Sequence, residues 1–240
     1  KTTDIDIDKI FEFLYSSKKP LIIIGQGVRQ SGAINDFIKL IDYLKIPFIS
    51  SRLGQDLLPF NHAYNFGHGG FRGSELTKTI MHEADFILSI GSRLSAPFIG
   101  TPVIFSKTSK IVVVNIDIVE LLRRDINIKY HIHSDAKDFI EKLNNRIEHI
   151  DYFTISHLYK EWVDFCSNLK TEKSLININK LSDPIDLYHF VSRLDDLSSE
   201  KNIFVSDAGS SYFVCGQSLS FSKGQREITS GAFASMGLSI

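Results

Sequence analysis

The residues of this 240-residue chain best suited to chemistry stand near its C-terminal end. Asp207-Ala208-Gly209-Ser210-Ser211 follows a strand pattern and opens a helix pattern. Two hydroxyls and the N–H groups of a first helical turn converge at such a place, a good seat for a diphosphate. Ser230-Gly231-Ala232-Phe233-Ala234-Ser235-Met236-Gly237 sets small residues around one flexible thioether. That suits backbone pressed against a flat ring, with Met236 as a hydrophobic prop. Taken alone, small-residue turns made for helix packing explain these segments better.

Other candidates lie upstream. Gly25-Gln26-Gly27 links a strand to a helix, but the third glycine of a dinucleotide fingerprint would fall at Gln30, and Asp42 lies within a helix pattern. A tight turn and a phosphate contact fit it equally. Gly67-His68-Gly69-Gly70-Phe71-Arg72-Gly73 is glycine-dense and precedes a helix start, where anions are favoured. Ligand contact through Gly70, Arg72 and Gly73 stands slightly ahead of a solvated surface loop. Arg93 ends a buried strand and suits a phosphate, a carboxylate or a structural ion pair. Asp117 ends the next strand; it suits a ribose hydroxyl, and alone it reads better as a helix cap. The scattered histidines form no triad or metal pattern that spacing supports.

The elements that position these residues alternate. Helical spacing appears at Ile7, Ile10, Phe11 and Leu14, with Asp4 or Asp6 as the expected cap, and again at Ile34–Leu44, Ser74–Ala84 and Asp135–Ile147. Short apolar runs at Leu21–Gly25, Phe48-Ile49, Phe86–Ile90, Ile111–Ile116 and Tyr130–Ile132 read as strands. A short helix is expected over Val119–Arg124. Such alternation requires crossovers, and therefore an α/β fold with a mostly parallel sheet and helices on both faces. Ligands of such sheets bind beyond the C-terminal strand ends, where the glycine loops stand. Beyond residue 150 a helical face runs from Ile155 to Leu169. Lys170–Lys180 reads as a linker, and Asp183-Pro184 as a helix start. A strand follows at Asn202–Ser206. The expected division is 1–150, then helix and linker over 151–180, then a second, truncated α/β domain over 181–240.

Hydrophobic residues make up 43%, charged residues 23%, and the formal net charge is -1. No basic stretch points to nucleic acid or an anionic membrane surface, and no apolar run is long enough to span a bilayer. Cys166 and Cys215 form no CxxC pair, which suits a reducing cytoplasm. The chain opens at Lys1 and stops within an apolar stretch at Ile240, so it reads as a piece of something longer.

Val205-Ser206-Asp207-Ala208-Gly209, Gln217, Arg226 through Gly231, and Ser235-Met236-Gly237 together resemble the start of the diphosphate-binding domain of the acetolactate synthase family, whose members use thiamine diphosphate. His82-Glu83-Ala84-Asp85, Gly91-Ser92-Arg93 and Ile116-Asp117-Ile118 resemble that family's central domain, which has a Rossmann-like sheet. The resemblance implies decarboxylation of a 2-keto acid such as pyruvate and capture of the fragment by a second carbonyl compound. It implies a homo-oligomer, because the cofactor sits between domains of different subunits. By position, Gly209, Ser210 and Ser211 face the diphosphate, and Ala234 and Met236 meet the aminopyrimidine. Well-studied synthases carry glutamine and histidine where Ser210 and Ser211 stand.

The resemblance also implies a catalytic glutamate before Lys1 and Mg²⁺ ligands after Ile240, so that the 240 residues alone lack activity. The central domain binds FAD in some relatives, nothing in others, and a nucleotide in a few. Its implied contacts here are Gly25, Gly27, Gly70, Arg72, Gly73, Arg93 and Asp117. Flavin-binding synthases carry a charged run where this chain has Ser95-Ala96-Pro97. The competing reading is a non-catalytic nucleotide- or flavin-binding regulatory module. A sirtuin-like deacylase would need a zinc-binding cysteine set that two distant cysteines cannot provide.

Overall fold

The computed structural model describes residues 1–70, 73–101, 105, 109–149, 157–173 and 185–237. Six parallel strands form the main sheet: β1 (Pro20–Ile24), β2 (Phe48–Ser50), β3 (Asn65–His68), β4 (Phe86–Ile90), β5 (Lys110–Asn115) and β6 (Ile128–His133). Their spatial order is β3-β2-β1-β4-β5-β6, so the chain reverses direction of travel across the sheet between β1 and β4.

The reason for this arrangement is legible strand by strand. All of β1, Pro-Leu-Ile-Ile-Ile, is buried, as a central parallel strand must be when helices cover both faces. Ile22, Ile24, Leu88 and Val112 face one layer, made by α1 (Asp4–Tyr15), α3 (Ile34–Leu44) and α7 (Ala136–Ile147). Leu21, Ile23, Ile87 and Val113 face the other, made by α4 (Glu75–Glu83) and α8 (Lys160–Lys173). Burial of one such side chain, Phe37 for example, stabilises the fold by roughly 1.5–3 kcal/mol. Short helices α2 (Gly27–Gln30), α5 (Ala96–Ile99) and α6 (Ile118–Leu121) sit at the C-terminal strand ends.

Four expectations need correction. The cap of α1 is Thr3, not Asp4 or Asp6; the Thr3 hydroxyl accepts from the Asp6 N–H while the Asp6 carboxylate accepts from the Thr3 N–H. The glycine-dense segment after Tyr64 is partly a strand, because β3 pairs with β2 and ends at His68. Helix α8 continues to Lys173, into the expected linker. Lys170 is fixed there, its Nζ donating to the carbonyls of Asn65 at 2.7 Å and Phe60 at 3.0 Å. Asp183 and Pro184 lie outside the described residues; Ile185 and Asp186 are not helical, and α9 (Leu187–Asp196) begins after them with Asp186 as its cap.

A second, two-stranded parallel sheet pairs β7 (Ile203–Ser206) with β8 (Arg226–Thr229), a strand the sequence did not reveal. It packs with α9 and α10 (Ser210–Ser218) around Val191, Val214, Leu219 and Phe221. No helix among the described residues is long and apolar enough to cross a membrane.

Candidate functional site

Two sets of candidate residues gather at two neighbouring places. The first is the crevice above the reversal of strand order. Here the loops after β1 and β4 lie directly on one another. Gly25 N–H donates to the Ile90 carbonyl and Gly27 N–H to the Gly91 carbonyl, both at 3.0 Å. The contact is so close that a Cβ on Gly25 would stand 2.2 Å from the Gly91 oxygen. Gly25 is thus part of the floor and faces backbone, whereas Gly27 reaches the crevice surface.

Above this floor opens a cleft of about 1300 Å³, more than the roughly 300–1,000 Å³ of an ordinary small-molecule pocket. Gly70, Gly73, Arg93 and Asp117 line it with Gly27. Arg72 lies outside the described residues. His68, at the end of β3, also lines the cleft; burial, and secondarily the Arg52 charge, push its pKa down to about 3, so it is neutral.

The described cationic side chains of the cleft are already partnered. Arg93 Nε donates to Glu120 at 2.8 Å. Arg123 caps the carbonyls of Arg93 and Leu94 and grips Asp125, whose carboxyl its hydrogen bond holds below the usual range. Arg52 is taken by Glu227 and the Tyr212 carbonyl. Asp117 caps α6, accepting from the Val119 N–H at 2.9 Å. These groups offer orientation and hydrogen bonding at the rim more than free positive charge.

The second place is one end of the β7–β8 pair. Because the strands are parallel, with Ser206 opposite Thr229, the segments that follow them leave the same sheet edge. The turn 207–211 and the bend 230–237 are joined: the Gly237 N–H donates to the Asp207 carboxylate at 2.7 Å. Gly209 has φ +83°, a left-handed conformation that glycine adopts without strain, and nothing lies within 4 Å of where its Cβ would be. Ser210 and Ser211 are exposed, and the Ser211 hydroxyl donates to the Asp207 carbonyl at 2.8 Å. The first turn of α10 adds N–H groups without intrahelical acceptors. Ala234 is left-handed at φ +47°, and Met236 is 89% exposed. Open space at Gly209, exposed hydroxyls and an exposed thioether on two joined loops fit a diphosphate bearing a flat ring.

The two places adjoin. Tyr212, Phe213 and Gly231 of the second sheet region form part of the wall of the central cleft. The junction carries ion pairs beside the backbone bonds from Phe60 N–H to the Ser220 and Phe221 carbonyls. Arg52 binds Glu227, and Asp56, almost fully buried, accepts from Arg29 and Arg226, both at 2.8 Å. Sequence reasoning missed Arg52, Asp56 and Glu227. Arg52 carried a usable signal, since it follows a strand end just as Arg93 does. Glu227 carried none, because β8 has no apolar alternation.

Comparison with known proteins accords with this geometry. Residues 7–143 match the family described as thiamine pyrophosphate enzyme, central domain. The chain is 26% identical over its whole length to an acetolactate synthase large subunit of Lactococcus lactis subsp. lactis, and 28% identical over 96% of its length to a probable acetolactate synthase large subunit of Methanococcus aeolicus. It is 29% identical over 59% of its length to 3D-(3,5/4)-trihydroxycyclohexane-1,2-dione hydrolase 2 of Bacillus cereus, covering 22% of that protein. The chain spans about 40% of the length of the two synthases. A six-stranded parallel sheet with a large cleft at its reversal point is the expected frame of the matched domain, and the chain belongs to the thiamine pyrophosphate enzyme family.

Proposed function

We propose that the parent protein is a thiamine diphosphate-dependent enzyme of the acetolactate synthase type, acting on a 2-keto acid such as pyruvate. In this reading residues 1–150 form the central domain, 151–180 connect it, and 181–240 open the diphosphate-binding domain. The observation that carries it is the bond from Gly237 N–H to Asp207, which joins the turn 207–211 to the bend 230–237; in this reading the two loops are the sides of one cofactor recess. When bound, the cofactor supplies the electron sink for decarboxylation. The part of this chain is to seat it: Gly209, Ser210 and Ser211 at the diphosphate, Ala234 and Met236 at the ring.

The magnesium ligands and the acid that activates the cofactor are proposed to come from the rest of the parent, which is taken to be a cytoplasmic homo-oligomer. The 240-residue chain alone is therefore expected to release no CO₂ from pyruvate with thiamine diphosphate and Mg²⁺, whereas the intact parent is expected to do so. Turnover by the isolated chain, or none by the parent, would overturn the respective half of the proposal.

The size of the central cleft favours a second reading, in which it also takes a flavin or adenine nucleotide. Flavin absorbance released on denaturing the purified parent is the expected result for FAD. A colourless protein that also binds no ADP in calorimetry removes this reading and leaves the first intact.

A further inference from the structure

Arg52 belongs to the first sheet region, yet its guanidinium reaches into the second. It sits in the 3₁₀ turn after β2, and its side chain is 12% exposed. Nη2 donates to Glu227 Oε1 at 2.7 Å and to the Tyr212 carbonyl at 2.9 Å, while Nη1 pairs with Glu227 Oε2. The guanidinium carbon lies 4.5 Å from the centroid of the Tyr212 ring. A Cβ at position 216 would stand 2.5 Å from Arg52 Nε, so Gly216 is the residue that lets the arginine lie across α10.

The partners of this clasp bracket the recess. Tyr212 is in the first turn of α10, immediately after Ser210 and Ser211. Glu227 Oε1 also accepts from the Ser206 hydroxyl at 2.7 Å, and Ser206 is the last residue before the turn that holds Gly237. Leu53, next to Arg52, lies against Gly231 at the start of the bend. One short segment of the first region therefore touches both sides of the recess. A bidentate arginine is a directional strut, which a lysine at the same place is not.

We propose that Arg52 is a positioning residue for the diphosphate seat: through Tyr212 on one arm, and Glu227 with Ser206 on the other, it sets the start of α10 against the 230–237 bend and thereby sets cofactor affinity. The proposal rests on the thiamine diphosphate reading given above. It distinguishes itself from a merely structural clasp by its selectivity. Cofactor affinity changes, while the keto-acid KM at saturating cofactor stays near that of the unmodified protein, whatever stability the loss of a buried ion pair costs.

The test uses the intact parent protein, with thiamine diphosphate and Mg²⁺ titrated by calorimetry and pyruvate KM measured separately. Arg52→Lys keeps the charge and loses the fork; a rise in cofactor Kd of about tenfold is expected, as for loss of a charge-assisted hydrogen bond. Gly216→Ala displaces the guanidinium without changing any charge and is expected to act in the same direction. On an Arg52→Ala background, Gly216→Ala is expected to change Kd no further. Ser206→Ala removes one bond to Glu227 and spares the ion pair, and about a threefold rise is expected. It carries the test should Arg52→Ala fail to fold. Folded Arg52→Lys and Gly216→Ala proteins that bind cofactor like the unmodified protein would overturn the proposal alone. An unmodified parent that binds no cofactor would overturn it together with the functional reading.

Discussion

The two sheet regions are built by different physics. In the first, β1 and β4 are buried along their whole length, and helices close both faces of the sheet. In the second, Ile203 and Val205 of β7 and Ile228 of β8 are exposed, and the core is a small group around Val214 and Phe221. The first region holds its shape by apolar packing. The second is tied to the first by Arg52–Glu227 and Asp56–Arg226, ion pairs whose carboxylates are nearly inaccessible. Packing makes a rigid floor for the central cleft. A polar clasp, which depends on direction and not only on contact, aligns the recess beside it.

The comparison can be broken first at the floor and the core. Phe37→Ala is expected to cost about 3–5 kcal/mol in denaturant unfolding, whereas Val205→Ala should stay within about 0.5 kcal/mol, as for an exposed site. Equal effects would mean that the regions do not differ as described. Gly25→Ala is expected to cost about 3 kcal/mol because the new methyl meets the Gly91 oxygen; a neutral result would show that the two loops part easily.

The next effect is pH-dependent. His68 stays neutral in the fold down to about pH 3, but its ordinary value is 6.5. Between those values the unfolded chain binds the extra proton, so stability from this group is lost as pH falls from 6.5 towards 3. The slope is up to about 1.4 kcal/mol per pH unit. In His68→Gln that part of the slope should vanish, and identical pH profiles for the two proteins would refute the assignment.

The smallest effect separates the regions by thiol chemistry. Cys166, packed with Trp162 under the first sheet, is fully buried, and burial pushes its thiol up to about 12. Cys215 in α10 is only partly buried, and its thiol is raised chiefly by burial as well. Alkylation of the native protein followed by peptide mass analysis should label Cys215 before Cys166. The reverse order would place the looser packing in the first region.

Much of the first region was legible in residue order. Leu21–Gly25 and Phe86–Ile90 read as buried strands because a sheet covered on both faces requires such short continuous runs, and α3 announced itself through Ile34, Phe37, Ile38, Ile41 and Leu44, of which Phe37, Ile41 and Leu44 are buried. Ser74 and Asp135 were readable as helix starts, and both accept from N–H groups in the first turn. Strands β3 and β8 were not legible. Asn-Phe-Gly-His and Arg-Glu-Ile-Thr have no strand signature, and each forms because a neighbouring strand supplies a ladder and, for β8, because Asp56 and Arg52 hold its side chains.

The sequence by itself determined the alternating layers, the strand-end glycine loops and the residue types gathered at 207–211 and 230–237, since periodicity and turn chemistry are local properties. It did not determine that Arg52, Glu227 and Ser206 meet, or that Gly237 closes onto Asp207. Those contacts join residues that are 21 to 175 positions apart. Only the packed sheet, its strand order and the parallel register of β7 with β8 bring such groups within bonding distance.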